Sequence, residues 1–421
     1  MKRLLSLLLV VAMLFGVCAM FTACDGNSVS SEKEEEKKEE EKKSNKVKLN
    51  MKGVTVEEGV VFEEHGLILT LNDVDAEDEY VSFIFTLENT TDEYMNFESS
   101  SCLVNGISAV DSSLYCSIDA GATSTYELYL PTEQLEWMGV TTIGHLDMKF
   151  VVYDSNYNAV ERDIPVTIET SKAGFVHTPP AEGDVLLEKE GIRVVLLDTV
   201  FNKKTGTQGM NVFMENTGNK TASISLFNIS INGWFLPYIG LYATLPSDTN
   251  TVRMLDLYGK ENIGIKKASD IQNMTFSIGA TDDEYYQIFS ESDLSYVPGD
   301  KDFVYEMEDT GDVLYEDDNL CFSQTNIEVN DGYLRISLYL QNKTDDYPYY
   351  SIESLYINNQ EYYCYFSVSL PDGAQCAYEL QLWTDESLES LQDIDSIVGD
   401  LRVRSSYSNI DLETEVEFVL D

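Results

Sequence analysis

Histidine, tryptophan and positive charge are scarce in this chain, and each scarcity excludes something. Among 421 residues there are 3 His, 3 Trp and 9 Pro, and 27 Lys and Arg stand against 74 Asp and Glu. Acid–base and nucleophilic catalysis draw most often on a positioned His. Here His65, His145 and His177 occupy unrelated places in the sequence. No Gly-Lys-Ser/Thr loop, Gly-x-Ser-x-Gly or His-Glu-x-x-His motif occurs, so the chemistries those motifs carry are not expected. Carboxylate pairs are common by chance in so acidic a chain, and the expectation is a protein that is not an enzyme. The formal charge of −47 argues against nucleic acid held through its phosphates. It leaves cations, cationic proteins and neutral ligands as partners, or solubility alone.

Cysteine is also sparse, and no Cys-x-x-Cys occurs, which argues against zinc and thioredoxin-like redox chemistry. Long apolar runs are confined to the start. Lys2 and Arg3 precede an apolar stretch from Leu4 to Phe21, the layout of an export signal. The next residues, Thr22-Ala23-Cys24, resemble the lipobox of bacterial lipoproteins, which implies cleavage after residue 23 and lipidation of Cys24. An ordinary secretory signal and an uncleaved anchor are the alternatives. Two acyl chains hold a protein stably to a membrane, so the expected location is the extracytoplasmic face of the cell membrane. Residues 24–52 read as a charged linker: Glu32 to Lys48 holds seven Glu and seven Lys. That stretch is neutral, and the negative charge therefore lies on residues 53–421.

What is there is a repeat. "LEN" at Leu87-Glu88-Asn89 returns as Met214-Glu215-Asn216 and Leu340-Gln341-Asn342. The steps are 127 and 126 residues (216 − 89, 342 − 216). A second Asn comes 16 residues after each (105 − 89, 232 − 216, 358 − 342): Asn105, Asn232 and Asn358, in Asn-Gly, Asn-Gly and Asn-Asn. These dipeptides favour turns with positive φ. Before the first Asn, apolar residues alternate, as in Val81, Phe83, Phe85, Leu87 and in Leu334, Ile336, Leu338, Leu340, the period of a half-buried strand. A final strand is expected in copies one and three, at 164–170 and 414–420, and short helical turns at 132–140 and 385–394.

About seven short strands per unit predict an all-β fold of three tandem immunoglobulin-like antiparallel sandwiches. The repeats run 53–170, 185–297 and 313–421, with linkers 171–184 and 298–312. Linkers so short predict a semi-rigid rod. The segments "ENTTDE" (88–93), "ENTGNK" (215–220) and "QNKTDD" (341–346), with "VNG" and "ING", resemble the tandem immunoglobulin-like domains of unknown function in Gram-positive lipoproteins and secreted antigens. That resemblance implies fold and location, and supplies no catalytic residue. Asn89-Thr90-Thr91 also fits the glycosylation triplet; the bacterial-type leader favours a turn, in which Asn89, Asn105, Asn216, Asn232, Asn342 and Asn358 satisfy backbone groups.

Three further candidates remain. Asp73, Asp75 and Asp78, and the segment 308–318, offer oxygens of the kind Ca²⁺ prefers, or are solvated turns; no cofactor is expected otherwise. Tyrosine is abundant, with 26 residues, and gathers at Tyr347, Tyr349, Tyr350, Tyr356, Tyr362, Tyr363 and Tyr365. Adjacent strand residues face opposite sides, so one ring of each Tyr-Tyr pair must face outward, as a surface for protein or glycan recognition. β-propensity alone is the alternative. Finally, Cys102, Cys116, Cys321, Cys364 and Cys376 remain after the leader and Cys24. An odd number cannot pair completely. Cys102 is expected in the core, and Cys364 and Cys376 either pair across a hairpin or stay free. The function expected is a lipid-anchored binding or adhesion module, and the rival is a spacer without a ligand.

Overall fold

A computed structural model describes residues 47–421 apart from 110–111, 202–207, 258–262, 264, 266, 308–309, 331, 384–389, 406–409 and 421. The expected leader, Cys24 and most of the charged stretch lie outside the described residues, as does much of 385–394. Residues Lys46–Asp421 form one compact unit, built almost entirely of antiparallel strands.

In the first repeat, β1 (Gly59–Glu64), β2 (Leu67–Ala76), β3 (Tyr80–Asn89) and β7 (Thr123–Pro131) make one sheet in the order β1-β2-β3-β7. The facing sheet runs β5-β4-β8-β9, from β4 (Met95–Val104), β5 (Ile107–Ser108), β8 (His145–Tyr153) and β9 (Ala159–Glu169), with β6 (Tyr115–Ile118) also on β4. The chain crosses between sheets after β3, returns after β6 and crosses again after β7, the Greek-key route of an immunoglobulin-type sandwich. One short helix, α1 (Thr132–Trp137), spans the last crossing.

The second repeat keeps this plan. β10 (Asp184–Lys189), β11 (Ile192–Phe201), β12 (Gln208–Asn216) and β16 (Thr249–Asp256) form its first sheet. β13 (Ala222–Ile231), β14 (Trp234–Phe235), β15 (Leu241–Leu245), β17 (Met274–Asp282) and β18 (Gln287–Tyr296) form the other. The third has β19 (Asp312–Glu316), β20 (Leu320–Asn330), β21 (Tyr333–Asn342) and β24 (Gln375–Trp383) facing β22 (Tyr349–Ile357), β23 (Gln360–Ser369), β25 (Ile397–Arg404) and β26 (Asp411–Phe418).

The alternation that predicts the strands also fills the cores. Val81, Phe83, Phe85 and Leu87 of β3 are all buried, as are Leu334, Ile336, Leu338 and Leu340 of β21. Residues two apart share a face, so one ladder of apolar side chains enters each interior. β18 corrects the expectation that copy two lacks a closing strand: it pairs along β17, but its side chains are mostly exposed, so it carries no apolar period to read. The short opening strands β1, β10 and β19 add to the seven expected. Each is bulged at the same place, opposite the second strand of its sheet.

The joints differ from the expectation too. Val195, Phe213 and Val252, on the outward face of the second repeat's first sheet, belong to the first repeat's apolar cluster. Cys321 and Tyr339 of the third repeat likewise enter the second's cluster, with Ala377 packed against it. β14 pairs in parallel with β24, so one sheet runs through repeats two and three. The linkers expected to set the stiffness are thus only part of the coupling; apolar side chains shared between neighbouring cores carry the rest.

Candidate functional site

The repeated Asn residues lie at two structural positions. Asn89, Asn216 and Asn342 end the third strand of their repeats and are buried. The amide of Asn89 donates to the carbonyls of Glu93 (2.7 Å) and Asp119 (3.1 Å), and its oxygen accepts from the Thr91 amide at 3.0 Å. Asn216 donates to Lys220 and Pro246 and accepts from Gly218; Asn342 donates to Asp346 and Pro371 and accepts from Thr344. One side chain so closes its own turn and ties it to the loop that enters β7, β16 or β24. Asn105, Asn232 and Asn358 sit at φ of 53°, 52° and 50°, with Gly106, Gly233 and Asn359 next in the chain and also at positive φ. Two successive positive φ values make the tight hairpin that Asn-Gly favours. Their side chains reach across to the loop before β8, β17 and β25, donating to the carbonyls of Thr142, Asp270 and Asp393.

The tyrosines divide. Tyr350 is fully buried, with its hydroxyl donating to the Gln341 carbonyl at 3.3 Å; burial pushes that phenol well above its usual range. It is a core residue, and its place among the candidate binding residues is corrected. Tyr362 is half-buried against the third cluster. Tyr347 donates to Asn228 of the second repeat at 3.1 Å, so it helps to hold the second joint. Tyr363 and Tyr365 are 78% and 75% exposed.

Register decides which rings share a surface. Tyr356 of β22 lies opposite Glu361 of β23, and Ser354 opposite Tyr363. Opposed residues share a face, and so do residues two apart. Tyr356, Glu361, Tyr363 and Tyr365 therefore share the outer face of the sheet β23-β22-β25-β26, with Tyr349 at the far end of β22. Glu413, Glu415 and Glu417 of β26 stand exposed on that same face. Its Arg402 is paired with Glu353 (3.1 Å) and Glu413 (3.2 Å), and Arg404 with Asp411 (3.5 Å). The result is an aromatic margin beside an acidic field whose two arginines are already paired.

The candidate Ca²⁺ ligands do not converge. Asp73 and Asp75 each accept from the next residue's backbone amide. Asp75 and Asp78 line an open cleft of about 1000 Å³ that also holds Lys48 and Lys52, which supply positive charge there already. In the second segment Glu308 and Asp309 lie outside the described residues. Partial burial pushes the Asp317 carboxyl up, but the amides of Asn319 and Leu320 outweigh it and hold the group below its usual range. That carboxylate serves the turn. Among the described residues, Glu64, His65 and Glu161 bring ligand atoms within 4.8 Å of one another. All three are exposed, and no local pattern signals the cluster because β9 supplies Glu161 from 96 residues away.

All five described cysteines are buried and free. Cys102 lies in the core as expected. Cys364 and Cys376 correct the hairpin expectation: β23 and β24 belong to different sheets. Burial pushes the thiols of Cys102 and Cys116 up to about 12, with the Asp147 charge adding to the first, and that of Cys364 to about 11. None has the electropositive, accessible surroundings of a reactive thiol.

A scan against protein-family models matches none of them to this chain, and a search of curated proteins finds no match. Among solved structures, a red sea bream transglutaminase matches with 8% identity and a TM-score of 0.16, over 55% of this chain and 31% of that one. A Salmonella alpha-2-macroglobulin reacted with methylamine matches with 11% identity and a TM-score of 0.16, over 85% of this chain and 23% of that one. The chain thus spans under a third of either structure's length. Likeness at these scores carries no argument about fold or activity.

Proposed function

We propose that the chain is a lipid-anchored binding or adhesion protein of the extracytoplasmic membrane face, without catalytic activity. Cys24 is its lipidation site, residues 24–52 are its stalk, and the outer face of the third repeat engages its partner. The observation that carries this reading is the exposure of Tyr363 and Tyr365, 78% and 75%, side by side on one face. Two large rings left in water form a rigid surface with polar tips, the kind of surface that protein and glycan recognition uses. A spacer without a ligand is the second reading, and the shared apolar clusters at both joints favour it, because they stiffen the array without reference to any partner.

The test presents the chain on beads to host and envelope extracts, beside the variant Tyr356→Ser/Tyr363→Ser/Tyr365→Ser. Saturable capture that the variant loses supports the binding reading. Equal recovery by both, or no capture at all, leaves the spacer. Mass spectrometry of the mature N-terminus tests the anchor: Cys24 should carry acyl chains, and Cys24→Ala should release the protein from membranes.

A further inference from the structure

Inside the chain, one corner of each sandwich receives the next repeat. The carbonyl of Ser108 in β5 accepts from the Thr251 hydroxyl of β16 at 2.7 Å. One repeat later β14 pairs with β24, Phe235 opposite Cys376. These places correspond, since Ser108 and Phe235 are 127 residues apart (235 − 108) and Thr251 and Cys376 are 125 apart (376 − 251). The third such corner is Gln360-Glu361, 126 residues after Trp234-Phe235 (360 − 234). There β23 is the edge of its sheet and pairs with β22 alone among the described strands.

That edge is also built differently. In the first two repeats it is broken into short pieces, β5 and β6 or β14 and β15, of 2, 4, 2 and 5 residues. Short edges are one way proteins avoid unwanted strand pairing. β23 runs unbroken for 10 residues. The second repeat reaches over its later part, where the Tyr238 hydroxyl lies 3.2 Å from Ser367 Oγ. Along Gln360–Tyr365 no second described strand pairs with this edge.

Resting on the binding function proposed above, we infer that Gln360–Tyr365 is a strand-accepting site that adds an extended, basic segment of a partner protein to the sheet. The unpaired edge supplies backbone donors and acceptors, as in other strand-addition complexes. Glu361, Tyr363 and Tyr365 alternate on the outer face, so every second side chain of the incoming strand lies beside a carboxylate or a ring. Lys and Arg suit both neighbours, through charge and through the ring face.

A second copy of this chain is the weaker occupant. The residues that dock one repeat on another are apolar: Val195, Phe213 and Val252 at the first joint. At the equivalent register positions the first repeat has Thr70, Thr86 and Thr125, and the Thr86 hydroxyl already accepts from the Asn72 amide at 2.8 Å. The accepting pair changes as well, from Trp234-Phe235 to Gln360-Glu361. The matching face of the first repeat and the accepting corner of the third are both polar, without the apolar fit that joins neighbouring repeats, and a charge of −47 opposes self-association.

The test measures fluorescence anisotropy of labelled octapeptides with the full-length chain in detergent. Three probes are needed: alternating Lys and Thr, the same peptide N-methylated at every second residue, and alternating Glu and Thr. The Lys peptide should bind saturably and the Glu peptide should not. N-methylation, which removes edge hydrogen bonds and keeps the charge, should weaken binding about tenfold or more. Tyr363→Lys/Tyr365→Lys, at exposed positions that leave the core intact, should weaken it comparably, while Tyr285→Lys on the second repeat leaves it unchanged. Equal binding of the N-methylated peptide, insensitivity to the Tyr363/Tyr365 variant, or no peptide binding overturns the strand-accepting site. Bead capture that still depends on the tyrosines while the peptides fail removes this inference alone and points to another ligand, such as a glycan; loss of capture as well removes the binding function with it. Dimers or longer assemblies growing with concentration would make the occupant a second copy.

Discussion

The two joints use corresponding positions and different chemistry. At the first, Val195, Phe213 and Val252 seat in the first repeat's cluster, and the polar link is a side-chain hydroxyl on the Ser108 carbonyl. At the second, β14 and β24 pair through their backbones. The Trp234 indole N–H donates to the Tyr305 carbonyl at 2.8 Å, and its ring lies 5.7 Å from that of Tyr339. Tyr305 belongs to the linker, which crosses the Asn232-Gly233 turn so closely that a Cβ on Gly233 would meet Val304 at 3.0 Å. The register of docking is therefore a property of the sandwich, while its strength is set by which side chains fill it. The second joint, with a ring, a backbone pairing and a threaded linker, should be the stronger.

Trp234→Ala tests that ranking with the largest expected effect. Trp234 fills the second repeat's own interior as well as the joint, so its loss should cost about 3–5 kcal/mol. Phe213→Ala empties the first joint without opening its own repeat's core, and should fall at about 3 kcal/mol or below. Denaturant unfolding measures both. A single transition in the parent that splits in Trp234→Ala locates the coupling; equal costs for the two variants would remove the distinction between joints.

Within the third repeat, the two Asn positions offer a second contrast. Asn342 is buried, and its amide satisfies the carbonyls of Asp346 and Pro371 while its oxygen takes the Thr344 amide. Asn342→Ala leaves these groups without a partner and should cost about 2–3 kcal/mol. Asn358 is solvent-accessible, and water can replace its bonds, so Asn358→Gly, which keeps the positive φ of 50°, should cost about 1 kcal/mol or less. If the two variants melt together, burial is not what separates these positions.

The spacing of these residues is what made the fold legible. Asn-Gly at positive φ and alternating runs such as Val81 to Leu87 are local signals, and each carries its own physical reason. The joints were not legible, because Val195, Phe213 and Val252 read as ordinary strand residues until a neighbouring repeat covers them. Tyr350 and Tyr363 show the same limit at the candidate site. Both belong to Tyr-Tyr pairs, and alternation requires one ring outward without saying which. β18 is illegible for the opposite reason, since an edge strand that is mostly exposed needs no apolar period. Cys364 and Cys376 are near in sequence, and only the sheet crossing between β23 and β24 separates them.

The thiols distinguish the repeats by chemistry. No cysteine lies between Cys116 and Cys321, so the second repeat has none. In the first, burial lifts Cys102 and Cys116 from 9.0 to about 12. Below pH 9 folded and unfolded chains both hold these protons, and the thiols add no pH dependence. Above it the unfolded chain releases them while the fold retains them, so stability falls as pH rises from 9 towards 12. The loss should reach of order 2 kcal/mol per thiol by about pH 11. Alkaline melting of Cys102→Val/Cys116→Ala should show a shallower decline than the parent. An unchanged slope would place the alkaline sensitivity elsewhere.

The smallest effect probes the hydroxyl bond across the first joint. Thr251 is fully buried, and its hydroxyl reaches the Ser108 carbonyl. Thr251→Val keeps the branched shape and removes the donor, which should cost about 1 kcal/mol, or somewhat more if the carbonyl stays dry. The double variant Thr251→Val/Phe213→Ala separates two accounts of the joint. If the hydroxyl bond forms only because Phe213 seats the face, the second loss adds little to the first, and the cycle shows a coupling of about 0.5 kcal/mol or more. Additive losses would mean that the apolar seat and the hydroxyl bond hold the two repeats independently. The first joint would then already possess the polar contact that, at the second, has become strand pairing.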